Sequence, residues 1–358
     1  MHQVDSMHPS LTAAQLRQDL NARARRLARD RALLHDESTG SQPSVLFGPD
    51  HAAQPARHGN FHPEAYARIC ASPDWLRRLT KPHTASRRSH ARHDWPWREL
   101  DAAVSSDALL MNIFCHPQVF DGKRLAAPVA ALLNVSPEAQ PCFGNRPGVP
   151  LAAMLKPRGK KAAPRAALDR TEIDLTLSTS DATLFLEAKL TESDFQAAAP
   201  ALILRYRDLE AVFDVGRLPQ TRDALKPCPV SPNQAGVPHS SQPYLDEWDS
   251  QSPEPDFPDF PDFPDEAFLN LPTRVSTPRI AGYQLIRNVL AAYAASASFC
   301  VLTDARRHDL IDAWYAILSA VHAPNFAWRL KLLTWQELAA TLPPELQDFL
   351  SNKYGITP

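Results

Sequence analysis

Residues 170–190 read RTEIDLTLSTSDATLFLEAKL, and the fold turns on how this stretch is parsed. The first run alternates. Glu172, Asp174 and Thr176 share one side, and Ile173, Leu175 and Leu177 the other, which is the period of a strand. Ser178 to Ala182 is turn material. Thr183 to Leu190 is apolar except for Glu187 and Lys189, which stand two apart and so share a strand face. The expected product is a hairpin presenting two carboxylates and an ammonium to one point.

That set has a chemical use. Two carboxylates supply oxygen ligands to a hard cation such as Mg²⁺, whose remaining positions go to water and substrate phosphate. Such a cation polarises a phosphoryl oxygen and acidifies water. A lysine beside it can orient or deprotonate that water, or stabilise developing charge. A solvent-facing hairpin with cross-strand ion pairs fits D-x(12)-E-x-K equally well as a bare pattern. The apolar approach Leu184-Phe185-Leu186 favours burial, and buried charges need a partner or a purpose.

Asp174 with Glu187-Ala188-Lys189 resembles the second and third motifs of the PD-(D/E)XK nuclease superfamily. More narrowly, the chain resembles a bacterial restriction-endonuclease-like branch of it. The resemblance runs over roughly residues 95 to 355. It rests on Ser105 to Phe114, Arg170 to Asp174, Glu187 to Glu192, Tyr283 to Asn288 and Phe299 to Arg307, in that order. It implies that Asp174 and Glu187 are metal ligands and Lys189 the catalytic lysine. It also implies that Gln284 lies beside the site and that Mg²⁺ or Mn²⁺ is the cofactor. Many members carry a further metal ligand, an early glutamate. Glu99 and Glu138 are candidates for it, and Glu172, on the face of Asp174, is a possible substitute metal ligand.

The implied activity is metal-dependent hydrolysis of phosphodiester bonds, with DNA the expected substrate. The alternative is a catalytically inactive module of the same fold that binds nucleic acid or a partner. Cutting both strands would be simplest for a homodimer.

The expected fold class is α/β: a restriction-endonuclease-like mixed central sheet flanked by helices. An N-terminal helical extension and a disordered Pro/Asp-rich insertion complete it. The expected parts are an N-terminal helix and flexible linker (1–60), a first portion of the core (61–216), the insertion (217–278) and a second portion of the core (279–358). Within the insertion lie 13 of the 34 prolines, enough to forbid helix and interior strand. Its repeat of Asp-Phe-Pro over residues 256–264 sits among nine acids between Tyr244 and Glu266, with no lysine or arginine.

Several further elements are legible. Leu11 to Leu34 reads as an amphipathic helix capped by Ser10, its arginines forming a solvated face or touching phosphate. Ser38 to Gly59 reads as loop. His62 to Leu79 and Trp97 to Phe114 read as helical, and so does Val129 to Val135. Thr191 to Asp194 has the pattern of a capping box opening a helix. Helix is expected over Ile280 to Ala295, strand over Ser298 to Thr303 and Phe326 to Thr334, then short helices from Trp335 and Glu345.

Two basic stretches are candidates for gripping a nucleic-acid backbone. Arg77 to Arg98 mixes arginine and histidine with Trp95 and Trp97. Lys156, Arg158, Lys160, Lys161, Arg165 and Arg170 form a basic loop leading into the hairpin, and Arg287 shares a helix face with Gln284. Solubilising loops account for the same residues.

Composition narrows the classes. The net charge is −2 and 44% of residues are apolar, as in ordinary globular domains. Five cysteines without regular spacing speak against a disulfide framework, and Cys115-His116 has no companion Cys-x-x-Cys to suggest zinc. No apolar run reaches spanning length and no glycine cluster suggests a nucleotide cradle, so a cytoplasmic, non-membrane protein is expected.

Overall fold

A computed structural model describes residues 9–38, 43–53, 55–81, 98–155, 165–222 and 278–358. Its centre is a five-stranded mixed sheet in the order Leu330–Thr334, Ser298–Thr303, Thr183–Ala188, Ile173–Ser178, Gln140–Asn145. The first three strands run parallel, and the hairpin and its outer neighbour are antiparallel. Helices cover both faces, so the α/β expectation holds. No helix among the described residues is long and apolar enough to cross a membrane.

The hairpin pairs Leu175 with Leu186 and Ser178 with Thr183. Because side chains alternate, the sheet feeds two cores. Leu175, Leu177, Leu184, Leu186, Cys300 and Leu302 join one, with Leu109, Ile113 and Trp335. Phe185, Phe299 and Val301 join the other, with Leu285, Ile286, Val289 and Trp314. Asp174 and Glu187 emerge on the side of the second core, beneath the helix Tyr283–Ala294.

The N-terminal helix is Ala13–Asp30 and its cap is Thr12, not Ser10; Thr12 and Gln15 form a reciprocal capping box. Leu16 and Leu20 are buried in the sheet's first core, and Arg23 donates to the Ser351 carbonyl of the C-terminal helix. The stretch expected as loop after it contains short hairpins instead. His35–Glu37 pairs with Val45–Phe47, and Pro49–Asp50 with Arg57–His58.

Other boundaries are corrected by local chemistry. The 97–114 helix is a 3₁₀ turn, Glu99–Asp101, and then a helix, Ser106–Phe114, capped by Ser105. Thr191 to Asp194 opens no helix. Glu192 is taken by Leu190 N and Ser106 Oγ, and buried Arg307 holds the carbonyls of Leu190 and Glu192. The next helix starts at Pro200, a residue suited to a first turn.

Ile280 lies in a strand, Pro278–Ala281, paired with Gln220–Arg222 and Ala197–Ala198. Gly282, at φ 74°, makes the break before the helix. The two ends of the expected insertion are therefore paired strands, while residues 223–277, with the Asp-Phe-Pro repeat, lie outside the described residues. Arg165–Arg170 is also a strand, paired with Gly148–Leu155, where a basic loop was expected.

Candidate active site

The hairpin ladder ends at Leu175–Leu186, and one further step of its register sets Asp174 opposite Glu187. There Asp174 Oδ2 accepts the backbone N–H of Ala188 at 2.8 Å. The side chain supplies the hydrogen bond that the ladder would otherwise make. The Glu187 strand is held from its other edge: Glu187 pairs with Val301, and Lys189 N donates to Leu302 O at 2.8 Å. Trp335 Nε1 donates to Lys189 O at 2.9 Å.

Glu187 is 1% exposed, and each of its oxygens accepts a hydrogen bond. Its Oε1 accepts from Gln284 Nε2 at 2.6 Å and lies 3.1 Å from Lys189 Nζ. Its Oε2 accepts from Asn288 Nδ2 at 2.8 Å, and Asn288 Oδ1 accepts in turn from Thr171 Oγ1 at 2.6 Å. Gln284 and Asn288 are one helical turn apart, so a single helix face orients the carboxylate. Lys189 is buried too, and its ammonium lies 5.7 Å from the Phe195 ring centroid.

Charge is out of balance here. Burial, then the charges of Glu187 and Asp107, push the Asp174 carboxyl well above its ordinary range. Burial raises Glu187 as well, against the pull of Lys189. Burial works against the Lys189 ammonium, but Glu187, Glu192 and Asp174 outweigh it and raise its pKa. Two carboxylates that resist ionising together, Glu187 buried and Asp174 half-buried, mark a place where a cation would be welcome.

The donors fit a hard cation. All are carboxylate oxygens, and Asp174 Oδ1 accepts no hydrogen bond among the described residues. Asp174 and Glu187 would hold Mg²⁺ or Mn²⁺, with water and phosphate completing the shell. They do not form a closed three-residue cage; the one such group among the described residues lies elsewhere.

Both glutamates considered for the early acid have other partners. Glu138 is exposed and paired with Arg124 at 2.9 Å. Glu99 pairs with Lys81 at 3.0 Å. The acid whose charge reaches both Asp174 and Glu187 is Asp107, in the first turn of Ser106–Phe114. It is ion-paired with buried Arg78. An acid after an N-cap serine reads in a sequence as helix capping, which hid it. Asn288 was recoverable from its spacing to Gln284. Glu192 sits at the same end of the sheet and bridges Ser106 and Leu190 N.

Glu172 has other partners as well. Its Oε1 lies 2.6 Å from Arg78 Nη1 and 3.0 Å from Lys81 Nζ, and its Oε2 lies 2.6 Å from Arg146 Nη2. Burial opposes ionisation, but these cations dominate and hold the carboxyl at about 2. Arg287 is buried, donates to Arg170 O at 2.6 Å and lies 3.4 Å from Asp169. Asp169 also accepts from Tyr206 and Arg205. The Arg170 side chain is exposed. Arg165 is in its strand, and Lys156, Arg158, Lys160 and Lys161 lie outside the described residues, as do Trp95 and Trp97.

A family model described as "Restriction Endonuclease associating with ARP" matches residues 34–233 and 250–355. No curated protein and no solved structure matches the chain.

Proposed function

Because the chain belongs to this restriction-endonuclease family, we propose that it is a metal-dependent nuclease of the PD-(D/E)XK type hydrolysing phosphodiester bonds in DNA. The observation that carries the reading is the constellation of half-buried Asp174 with buried Glu187 and Lys189, with Glu187 oriented by Gln284 and Asn288. A purely structural ion pair needs neither the second carboxylate nor the two amide donors.

In this reading Asp174 and Glu187 hold Mg²⁺ or Mn²⁺, which when bound supplies Lewis acidity toward the phosphoryl oxygen and lowers the pKa of water. The chain's own residues do the rest. The Ala188 N–H and the Gln284 and Asn288 amides fix both carboxylates, so little reorganisation is left for the reacting complex. Lys189 holds a proton beside Glu187, where it can orient the attacking water and stabilise charge growing on phosphate. Asp107, whose charge is felt by both acids, serves as the early acid of the site. Arg170, exposed at the end of the preceding strand, would meet backbone phosphate, and the lysines and arginine of the sequence segment 156–164 add positive charge for the same task. Glu172 and Arg287 act as supports through their ion pairs. The family's description names an association with ARP, so a partner of that name belongs to the same proposal.

The test is cleavage of plasmid and short single-stranded DNA with Mg²⁺ or Mn²⁺, wild type beside Lys189→Ala. Metal-dependent cutting by the wild type alone supports the reading. Failure of a well-folded wild type on several substrates would replace it with a binding module. Equal cutting by both proteins would place the activity elsewhere.

A further inference from the structure

His116 follows the helix Ser106–Phe114 and has no role in the constellation above. Its ring is fully buried and its Nε2 makes no hydrogen bond. A buried ring nitrogen without a partner is costly and calls for an explanation. The nitrogen faces two carboxylates, Glu64 Oε2 at 3.4 Å and Glu345 Oε1 at 3.5 Å. Among the described residues these three are the one group of His, Cys, Asp or Glu donors whose ligand atoms all lie within 4.8 Å of one another.

We propose that Glu64, His116 and Glu345 form a second metal site, taking a divalent transition ion of the zinc class. The spacing fits that ion. Donors held about 2.0 to 2.2 Å from a tetrahedral centre stand about 3.3 to 3.6 Å apart. Distances of 3.4 and 3.5 Å are too long for good hydrogen bonds and right for two edges of such a tetrahedron. An imidazole nitrogen with two carboxylates suits zinc better than the all-oxygen preference of Mg²⁺.

The surroundings are built to hold these side chains. Gln118 Nε2 donates to Glu345 Oε1 at 2.7 Å and orients it. The His62 ring packs edge-on against His116 at 4.8 Å between centroids, and its Nδ1 is likewise buried without a partner. Glu64 and Glu345 each lie in the first turn of a helix opened by proline, a place that favours carboxylates. That accounts for acids at those positions but not for their convergence on one buried nitrogen.

Binding at Nε2 requires the ring proton on Nδ1, which gives up only the long 3.4 Å contact of the Gln118 N–H with that nitrogen.

The three ligands come from chain segments far apart in sequence: the helix Pro63–Ala71, the turn after Ser106–Phe114 and the helix Pro344–Tyr354. Binding therefore fastens them together at the end of Ser106–Phe114 opposite Asp107, about 13 Å along the helix. The role is structural, and it stands whether or not the nuclease reading does.

The full chain, stripped with EDTA, is titrated with Zn²⁺, and with Co²⁺ for its visible spectrum. The expected result is one tight equivalent, a raised melting temperature and the strong absorption of tetrahedral Co²⁺. Glu64→Gln and Glu345→Gln each weaken binding at least about tenfold, while Asp174→Asn leaves it intact. Circular dichroism checks folding, and because both glutamates are half exposed, Glu345→Gln decides if the other variant misfolds. Absence of tight binding, binding indifferent to the glutamine variants, or binding lost in Asp174→Asn would each overturn the site.

Discussion

Lys189 Nζ and Glu187 Oε1 lie 3.1 Å apart with both side chains buried, and Gln284 shares the same carboxylate oxygen. A strand carrying Glu and Lys two apart presents both on one face. Here that face is roofed by the helix Tyr283–Ala294 rather than open to water.

Lys189→Ala should therefore do two things. On the nuclease reading it removes the ammonium beside the reacting phosphate, with an expected loss of about a hundredfold or more in rate. It also leaves Glu187 buried without its ion partner, which costs about 3 kcal/mol of stability. Lys189→Arg should recover part of the stability and little of the rate. Denaturant melts and cleavage rates on the same preparations separate the two effects.

Asp174 and Glu187 set a pH dependence. Their pKa values are raised in the folded protein, from ordinary values of 3.8 and 4.5. The folded state thus binds protons that the unfolded chain releases. The resulting stability is complete below about pH 4 and is lost as pH rises through the folded values. Without divalent metal, Asp174→Asn should melt higher than wild type at pH 8, on the order of 3 °C, and the gap should close toward pH 4. With saturating Mg²⁺ the order should reverse at pH 8. Parallel melts without that crossover would count against a shared cation.

Glu172 and Asp107 should behave differently although Arg78 holds both. Glu172→Gln loses ion pairs to Arg78, Lys81 and Arg146 and should cost about 2 kcal/mol, while Mg²⁺ affinity changes little. Its carboxyl sits at about 2, so its contribution is present above 4.5 and fades as pH falls toward 2. Asp107→Asn should weaken Mg²⁺ binding about tenfold or more. Calorimetric titration of both variants decides which acid serves the site.

Gln284→Ala and Asn288→Ala each remove one donor from Glu187. Cutting should fall about tenfold to a hundredfold in each, with global folding retained. The double variant should lose less than the product of the two, because both act on one carboxylate. Rates of the four proteins at fixed Mg²⁺ measure this coupling.

Much of this was legible in the chain. Alternation over 173–177 set the hairpin, and the turn residues set its register. The apolar run Phe299 to Leu302 marked a strand, which pairs in parallel with its neighbours, and the helix expected from Trp335 is there, capped by Thr334 with Glu337. These are local signals, written within a few residues. Thr191 to Asp194 shows how such a signal fails. The same side chains found stronger partners in Ser106 and in the Leu190 N–H, and the helix did not form.

The sequence by itself determined the hairpin, the mixed α/β class and the shared placement of Asp174, Glu187 and Lys189, because strand and helix periods place neighbours on known faces. Only the tertiary structure decided that the charge of Asp107 reaches both acids, that Glu172 belongs to Arg78, Lys81 and Arg146, and that Glu64, His116 and Glu345 converge. Those meetings join residues tens to hundreds of positions apart. Their partners are chosen by how whole helices pack on the sheet, and no local spacing records that choice.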